Sequence, residues 1–240
     1  MVYLTFSSSL HEDAIVREIL IIMSPSSSLL KSYPTLDEEK LLWSQGIRPL
    51  AGVDEVGRGP LAGAVVAAAV ILPEQMDDLL QASLAQLNDS KKISPSLRQK
   101  LYTFLTEHAE VIYALGEASV LEIDELNILE ASALAMRRAV VALKKKPAYV
   151  LVDGLPVKNF PFPQHALIGG DGCSLSIAAA SVIAKVTRDR MMEELDLLFP
   201  HYGFARHRGY GTREHLENLR RYGPCQYHRR SFKPVAQASL

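Results

Sequence analysis

The sequence predicts an α/β domain with a mixed sheet, and three observations carry that prediction. Two short apolar runs, residues 50–53 and 148–152, each end in a carboxylate that is soon followed by glycine, as strands do when their carboxyl ends open onto a site. A tight connection joins the first run to a second one at residues 63–72, so the sheet starts antiparallel. A helical stretch, residues 123–143, precedes the run at 148–152, and a helical crossover between strands implies a parallel pair.

The elements follow in order. Residues 34–46 read as a short helix, with Thr35 as cap, Glu38 three residues later in a capping box, Leu41, Leu42 and Trp43 behind, and Gly46 as the stop. Residues 63–72 are small and β-branched between Pro60 and Pro73, which is the composition of a buried strand. The polar loop Asn88-Asp89-Ser90-Lys91-Lys92 leads into Ser94-Pro95, a helix start with Leu97, Leu101, Phe104 and Leu105 recurring on one face. Residues 111–115 read as a strand. Residues 123–143 read as one long helix with Leu126, Leu129, Ala133, Met136 and Val140 on a shared face, and the lysines at 144–146 suit its negative carboxyl end. Residues 165–168 are a further strand. The helix at 176–198 is small and apolar at first (Ala178, Ala179, Ala180, Ile183, Ala184), which permits close packing, and Pro200 stops it. A tail helix is capped by Thr212 and closed at Gly223.

Composition narrows the classes. With 48% hydrophobic residues in 240, the chain has enough apolar matter for one large domain. Cys173 and Cys225 stand too far apart for a metal-type spacing and form no disulfide framework, so a reducing cytoplasm is the expected compartment. The net charge of −1 excludes a polycation, yet residues 201–240 hold eight Lys/Arg against two Glu, an asymmetry that points to a polyanionic partner as one reading and to a solvated face as the other. Residues 1–34 are serine-rich around an apolar patch at 15–23 that is too short to span a bilayer and follows Glu12 and Asp13 rather than the basic start of a secretory signal. They are expected to be a poorly structured extension ahead of a domain over 35–240, with Met23 as an alternative initiator and no membrane association.

The chemistry concentrates at Gly52-Val53-Asp54-Glu55-Val56-Gly57-Arg58-Gly59-Pro60. Successive strand side chains point to opposite faces, so Asp54 and Glu55 share one metal only where the strand bends. Gly57 and Gly59 let the backbone approach a ligand with bare N–H groups, and Arg58 offers a planar fork for phosphate. The spacing is not that of a dinucleotide loop, because Pro60 stands where the helix should open. Asp153-Gly154 repeats the strand-then-carboxylate logic, and Asp171 lies in the loop Gly169-Gly170-Asp171-Gly172. Ser181, Lys185 and Arg188 recur at spacings of four and three, one helical stripe able to face a phosphate backbone, with a buried lysine stem as the competing reading. Ser90 and Lys91 are further phosphate candidates. Tyr210, between two glycines, is either a stacking platform or a partial core residue.

Taken together, the Gly52–Pro60 run, Asn88-Asp89-Ser90-Lys91-Lys92, Asp153-Gly154, Ala179-Ala180-Ser181-Val182-Ile183-Ala184-Lys185-Val186-Thr187-Arg188-Asp189 and His207-Arg208-Gly209-Tyr210 resemble bacterial type 2 ribonuclease H (ribonuclease HII) from roughly residue 50 to 235. The resemblance implies a ribonuclease H-like fold, a mixed five-stranded sheet flanked by helices with a helical C-terminal part from about residue 200. It also implies an endonuclease that cuts the RNA strand of RNA·DNA hybrids and nicks 5′ of single ribonucleotides in duplex DNA, leaving 3′-hydroxyl and 5′-phosphate ends. Carried over residue by residue, Asp54, Glu55, Asp153 and Asp171 are the catalytic and metal-holding carboxylates, with Asp189 as a rival for Asp171. Clustered acids of this kind call for hard cations, Mg²⁺ or Mn²⁺, in a two-metal hydrolysis. Gly57, Arg58 and Gly59 resemble the family's reader of the 2′-hydroxyl, Tyr210 would stack on the adjoining deoxyribose, and Ser90, Lys91, Ser181, Lys185, Arg188 and the tail arginines would hold phosphates. A monomer is expected, and replication or repair proteins are compatible partners. A non-cleaving hybrid-binding protein and a different nuclease of the same superfamily are the rival classes.

Overall fold

The computed structural model describes residues 33–88, 90 and 93–238. Lys91, Met23 and the apolar patch at 15–23 lie outside them. The chain enters through α1 (Asp37–Ser44), then β1 (Leu50–Val56), β2 (Val65–Ile71), α2 (Asp78–Leu84), α3 (Pro95–Glu107) and β3 (Ile112–Ala118). It continues through α4 (Val120–Leu126), α5 (Ile128–Ala142), β4 (Tyr149–Asp153), β5 (Gln164–Leu167), a 3-10 turn (Gly170–Gly172) and α6 (Leu175–Leu198). It ends in α7 (Phe204–His207), α8 (Arg213–Tyr222) and α9 (Lys233–Ala238). Among the described residues no helix is long and apolar enough to cross a membrane.

The sheet has the order β3-β2-β1-β4-β5. β1 pairs antiparallel with β2, with Asp54 opposite Ala68, and β2 pairs antiparallel with β3. β1 runs parallel to β4, with Val53 opposite Val152, and β4 runs parallel to β5. The expected antiparallel start and parallel crossover are both present.

Alternation along the strands divides the core into two layers. On one face Ala51, Val53, Val65, Ala67, Ala69, Val150 and Val152 pack with Ala131, Ala135, Met136, Ala139 and Val140 of α5. On the other, Ala68 and Val70 pack with Ala178, Ala179, Ala180, Ile183 and Ala184 of α6 and with Leu101 and Leu105 of α3. The alanine run makes this close seating possible, since every one of its members is 0% exposed. By this alternation Asp54 and Asp153 belong to the α6 face and Glu55 to the α5 face.

Two local expectations are corrected. The first helix begins without a side-chain cap and forms no capping box at Glu38. Thr35 is instead an extended residue bridged to Ser174, its N–H donating to Cys173 O at 3.0 Å and its carbonyl accepting from Leu175 N at 3.0 Å, with its hydroxyl left to accept from Asp37 N at 3.3 Å. The single helix expected over 123–143 is two helices, because Asn127 sits at φ +75° and its side chain accepts from Leu129 N and Glu130 N to start α5. Asparagine tolerates this left-handed backbone and is a strong cap. The break rotates the surface, so that Leu129 is 58% exposed while Ala131, Ala135 and Ala139 are buried. The caps at Ser94 and Thr212 are formed as expected, their hydroxyls accepting from Leu97 N and His215 N.

Candidate active site

β1 extends to Val56, so Asp54 and Glu55 lie within its last three residues. Asp153 closes the neighbouring parallel strand one register step past the Val53–Val152 pair, which sets it beside Asp54 on the α6 face. Asp171 enters from the 3-10 turn that leads into α6. Side-chain hydrogen bonds fix the ring: Asp54 Oδ1 accepts from Glu55 N at 2.6 Å, and Asp153 Oδ1 accepts from Gly170 N at 2.6 Å.

Electrostatics tie these acids together. Asp54 is 6% exposed, and burial pushes its carboxyl well above the usual carboxylate range, helped by the charges of Glu55, Asp153 and Asp171 against a hydrogen bond from Ser181. Glu55 is raised as well, first by burial, with Arg58 pulling it back and Asp153 pushing it up. Arg58 Nη1 donates to Glu55 Oε1 at 3.3 Å from a side chain that is 53% exposed. A cleft of about 330 Å³ opens at this edge, lined by Glu55, Arg58, Ser132, Asp153, Gly154 and Lys158 among others.

A divalent cation fits this donor set. Buried carboxylates that raise one another's pKa are relieved by a positive charge, and an all-oxygen set selects a hard ion. Among the described residues no three acidic, histidine or cysteine groups already stand as a chelate.

The glycine-arginine turn is held from below by two buried arginines. Arg229, 0% exposed, donates from Nη2 to Gly57 O at 2.5 Å, from Nη1 to Arg58 O at 2.9 Å and from Nε to Gly63 O at 2.9 Å. Arg188, 1% exposed, donates to Ala64 O at 3.0 Å, Arg208 O at 3.1 Å and Ala62 O at 3.0 Å. Burial lowers Arg188 to about 10 and Arg229 to about 9, so both stay cationic at neutral pH. Here the sequence reading is corrected: Arg188 was expected on a phosphate-facing stripe and Arg229 among phosphate-holding tail arginines, yet their guanidinium groups are committed to backbone carbonyls. Each guanidinium offers five donors, and loop carbonyls left without a helix or sheet partner are what satisfy them.

The remaining candidates are distributed as follows. Ser181 Oγ lies 3.0 Å from Ser90 Oγ, both hydroxyls being buried. Lys185 pairs with Asp189 at 2.7 Å, which occupies the acid weighed as a rival to Asp171. Tyr210 is 42% exposed and lies against the turn, since a Cβ on Gly59 would stand 3.4 Å from its Cε1. Gly57 has φ +98°, which allows the bend that brings the turn over Arg188. Sequence reading missed Arg229 as a support, and also Glu39, which is 1% exposed and whose Oε1 accepts from Ser174 Oγ, Ser176 N and Ser176 Oγ at the start of α6. Nothing local marks either residue.

A sequence profile described as Ribonuclease HII matches residues 51–235. A protein named Ribonuclease HII from Desulfitobacterium hafniense is 54% identical over 202 residues, covering 84% of this chain and 75% of that one. Among solved structures, ribonuclease H2 from Pyrococcus horikoshii superimposes with a TM-score of 0.65 at 29% identity, covering 79% of this chain and 96% of that one. RNase HII from Archaeoglobus fulgidus, solved in complex with PCNA, superimposes with a TM-score of 0.64 at 25% identity, covering 80% and 97%.

Proposed function

The chain belongs to the ribonuclease HII family, metal-dependent nucleases that cleave RNA in RNA·DNA hybrids, and from that premise we propose that it also nicks duplex DNA 5′ of a single embedded ribonucleotide. The products carry 3′-hydroxyl and 5′-phosphate ends. The observation that carries this reading is that Tyr210 faces Gly59, its Cε1 3.4 Å from where a Cβ on Gly59 would stand, on the turn that directly follows the strand bearing Asp54 and Glu55.

The backbone N–H groups of residues 57–59 read the 2′-hydroxyl, the group that separates RNA from DNA at one nucleotide. Tyr210 stacks on the deoxyribose at the neighbouring nucleotide. Ribose is thus required on one side of a junction and deoxyribose on the other, without base readout. Arg229 and Arg188 act through the turn rather than on substrate: their bonds to Gly57 O, Arg58 O, Ala62 O and Ala64 O hold its carbonyls down and so leave the N–H side to the ligand. Arg58, Lys185 and the loop with Ser90 and Lys91 contribute phosphate contacts, so binding weakens steeply as salt rises.

Asp54, Glu55, Asp153 and Asp171 would hold Mg²⁺ or Mn²⁺, with Asp54, the most enclosed by the others, as the natural shared ligand. Bound there, the ions supply a more acidic attacking water and charge neutralisation at the leaving 3′-oxygen during in-line displacement at phosphorus. The clamp seen with the Archaeoglobus relative makes a sliding clamp the partner class to test here.

The test is a DNA duplex with one ribonucleotide, incubated with purified protein and Mg²⁺, Mn²⁺ or EDTA, with the cut mapped to single-nucleotide resolution. A metal-dependent nick immediately 5′ of the ribonucleotide, absent on all-DNA duplex, is expected. Cleavage of long hybrids alone would return Tyr210 and the glycine-arginine turn to structural roles.

A further inference from the structure

Beneath Tyr210 three buried histidines lie in contact. His215 is 0% exposed, His228 1% and His207 8%. The rings of His207 and His215 stack at 4.4 Å with a 13° interplanar angle, and Phe204 meets His215 edge-on at 5.6 Å. None of the three figures in the chemistry proposed above.

Their hydrogen bonds determine the tautomer of each ring. Cys225 N donates to His228 Nδ1 at 3.0 Å, so that nitrogen is bare and the proton of neutral His228 is on Nε2. His228 Nε2 lies 3.1 Å from His215 Nε2, and two nitrogens can share that contact only if one is bare. His228 therefore donates and His215 accepts, which moves the His215 proton to Nδ1. That Nδ1 lies 2.9 Å from Tyr210 O, a carbonyl that can only accept. The same reasoning gives His207 a bare Nδ1, accepting from Gly209 N at 3.2 Å, and a proton on Nε2, donated to Tyr202 O at 2.8 Å. The links through His228 and His215 run in one direction, from Cys225, whose Sγ also lies 3.1 Å from His228 Nδ1, to the Tyr210 carbonyl; His207 stands beside this chain.

We propose that His228 fixes the tautomer of His215, and that the resulting Nδ1–H bond to Tyr210 O positions Tyr210 and so sets discrimination between a ribonucleotide junction and a long hybrid; an amide donor at position 215 needs no such tautomer. This rests on the junction role of Tyr210 proposed above. His215 stands in the first turn of α8, where Thr212 Oγ1 accepts from its backbone N at 3.2 Å, so its ring is aimed back at Tyr210 by a fixed helix start. His228 meets the His215 ring from a segment whose next residue, Arg229, holds the glycine-arginine turn. The two halves of the junction reader, turn and tyrosine, are thereby held by adjacent residues of one segment. Burial keeps both rings neutral, lowering each to about 4, which preserves the donor and acceptor order.

Two near-isosteric variants separate positioning from packing. In His215→Asn the amide nitrogen takes the place of Nδ1 and keeps the bond to Tyr210 O but loses His228. In His215→Gln the amide end takes the place of Nε2 and keeps His228 but loses Tyr210 O. Each loses one hydrogen bond, so a purely structural pair predicts equal effects. The readout is the ratio of single-ribonucleotide nicking to long-hybrid cleavage, with thermal unfolding of both variants alongside. The expected result is a ratio within about twofold of wild type for His215→Asn and about tenfold lower for His215→Gln, the scale of one lost hydrogen bond. Equal ratios overturn the proposal. Tyr210→Ala is run in parallel: a lowered ratio there with equal His215 variants refutes the role of the His215 bond alone, whereas an unchanged ratio refutes the Tyr210 role and the discrimination that rests on it. Independently of activity, imidazole ¹⁵N shifts of the wild-type protein are expected to give Nδ1–H for His215 and Nε2–H for His228. The opposite tautomers would overturn the proposal even where a variant fails to fold.

Discussion

Replacing Gly57 by alanine tests the link between the glycine-arginine turn and the buried arginine beneath it. The residue sits at φ +98°, where an L side chain costs about 1–2 kcal/mol. A Cβ there would lie 2.2 Å from Arg188 Nε and 2.7 Å from its Cδ, with Ala64 O at 3.0 Å. Arg188 cannot swing clear cheaply, because its guanidinium is bonded to Ala64 O, Arg208 O and Ala62 O. Losing one of those charge-assisted bonds costs a further ~1.5–3 kcal/mol. The sum is about 4 kcal/mol, a fall in melting temperature of roughly 8–16 °C for a domain of this size. Gly154→Ala is the control: its φ is +87° and nothing lies within 4 Å of the added Cβ. Only the backbone cost applies there, so the melting temperature drops by about 2–8 °C. Both variants are measured by calorimetry, followed by hybrid cleavage well below the transition. Equal losses at the two glycines would refute the claim that Arg188 is locked under the turn.

The remaining predictions concern charge. Asp54→Asn is expected to abolish cleavage while hybrid binding persists. It should also remove most of the melting-temperature gain that Mn²⁺ gives the wild-type protein, a gain of about 2.7 kcal/mol at a hundredfold excess over Kd; near-wild-type cleavage would refute its assignment. His215 and His228, held neutral and lowered to about 4, take up protons near pH 6.5 once unfolded, so their contribution to stability is complete above pH 6.5 and is lost as the pH falls towards 4. Asp54 and Glu55, raised by burial, act in the opposite sense, because their unfolded forms ionise first as the pH rises. The histidine part is therefore read as a difference: from pH 6.5 down to 4 the wild type should lose stability more steeply than His228→Asn, by up to about 1.4 kcal/mol per pH unit, the slope of one proton. Urea titrations across that range measure it, and parallel slopes would count against buried neutral rings.

What the sequence determined by itself was whatever depends on neighbours in the chain. The continuous apolar runs, the tight connection at Pro60 and the helical crossover were enough to orient β1, β2 and β4, and Ser94 and Thr212 announced their helices because a cap acts within three residues. The break at Asn127 carried a local signal too, an asparagine with Glu130 three residues on, but the apolar spacing across it mimicked one helix. Tertiary structure alone decided the fate of the long polar side chains. Arg188 binds carbonyls 124 and 126 positions away, and Arg229 reaches Gly57 across 172 positions. In sequence such an arginine is indistinguishable from one that grips phosphate, because its charge and reach are the same in either role. Which role it takes is settled by whether folding leaves unpaired loop carbonyls within its span. The histidines beneath Tyr210 obey the same rule: each is unremarkable alone, and only the packing of α8 against the segment after it fixes which nitrogen carries the proton.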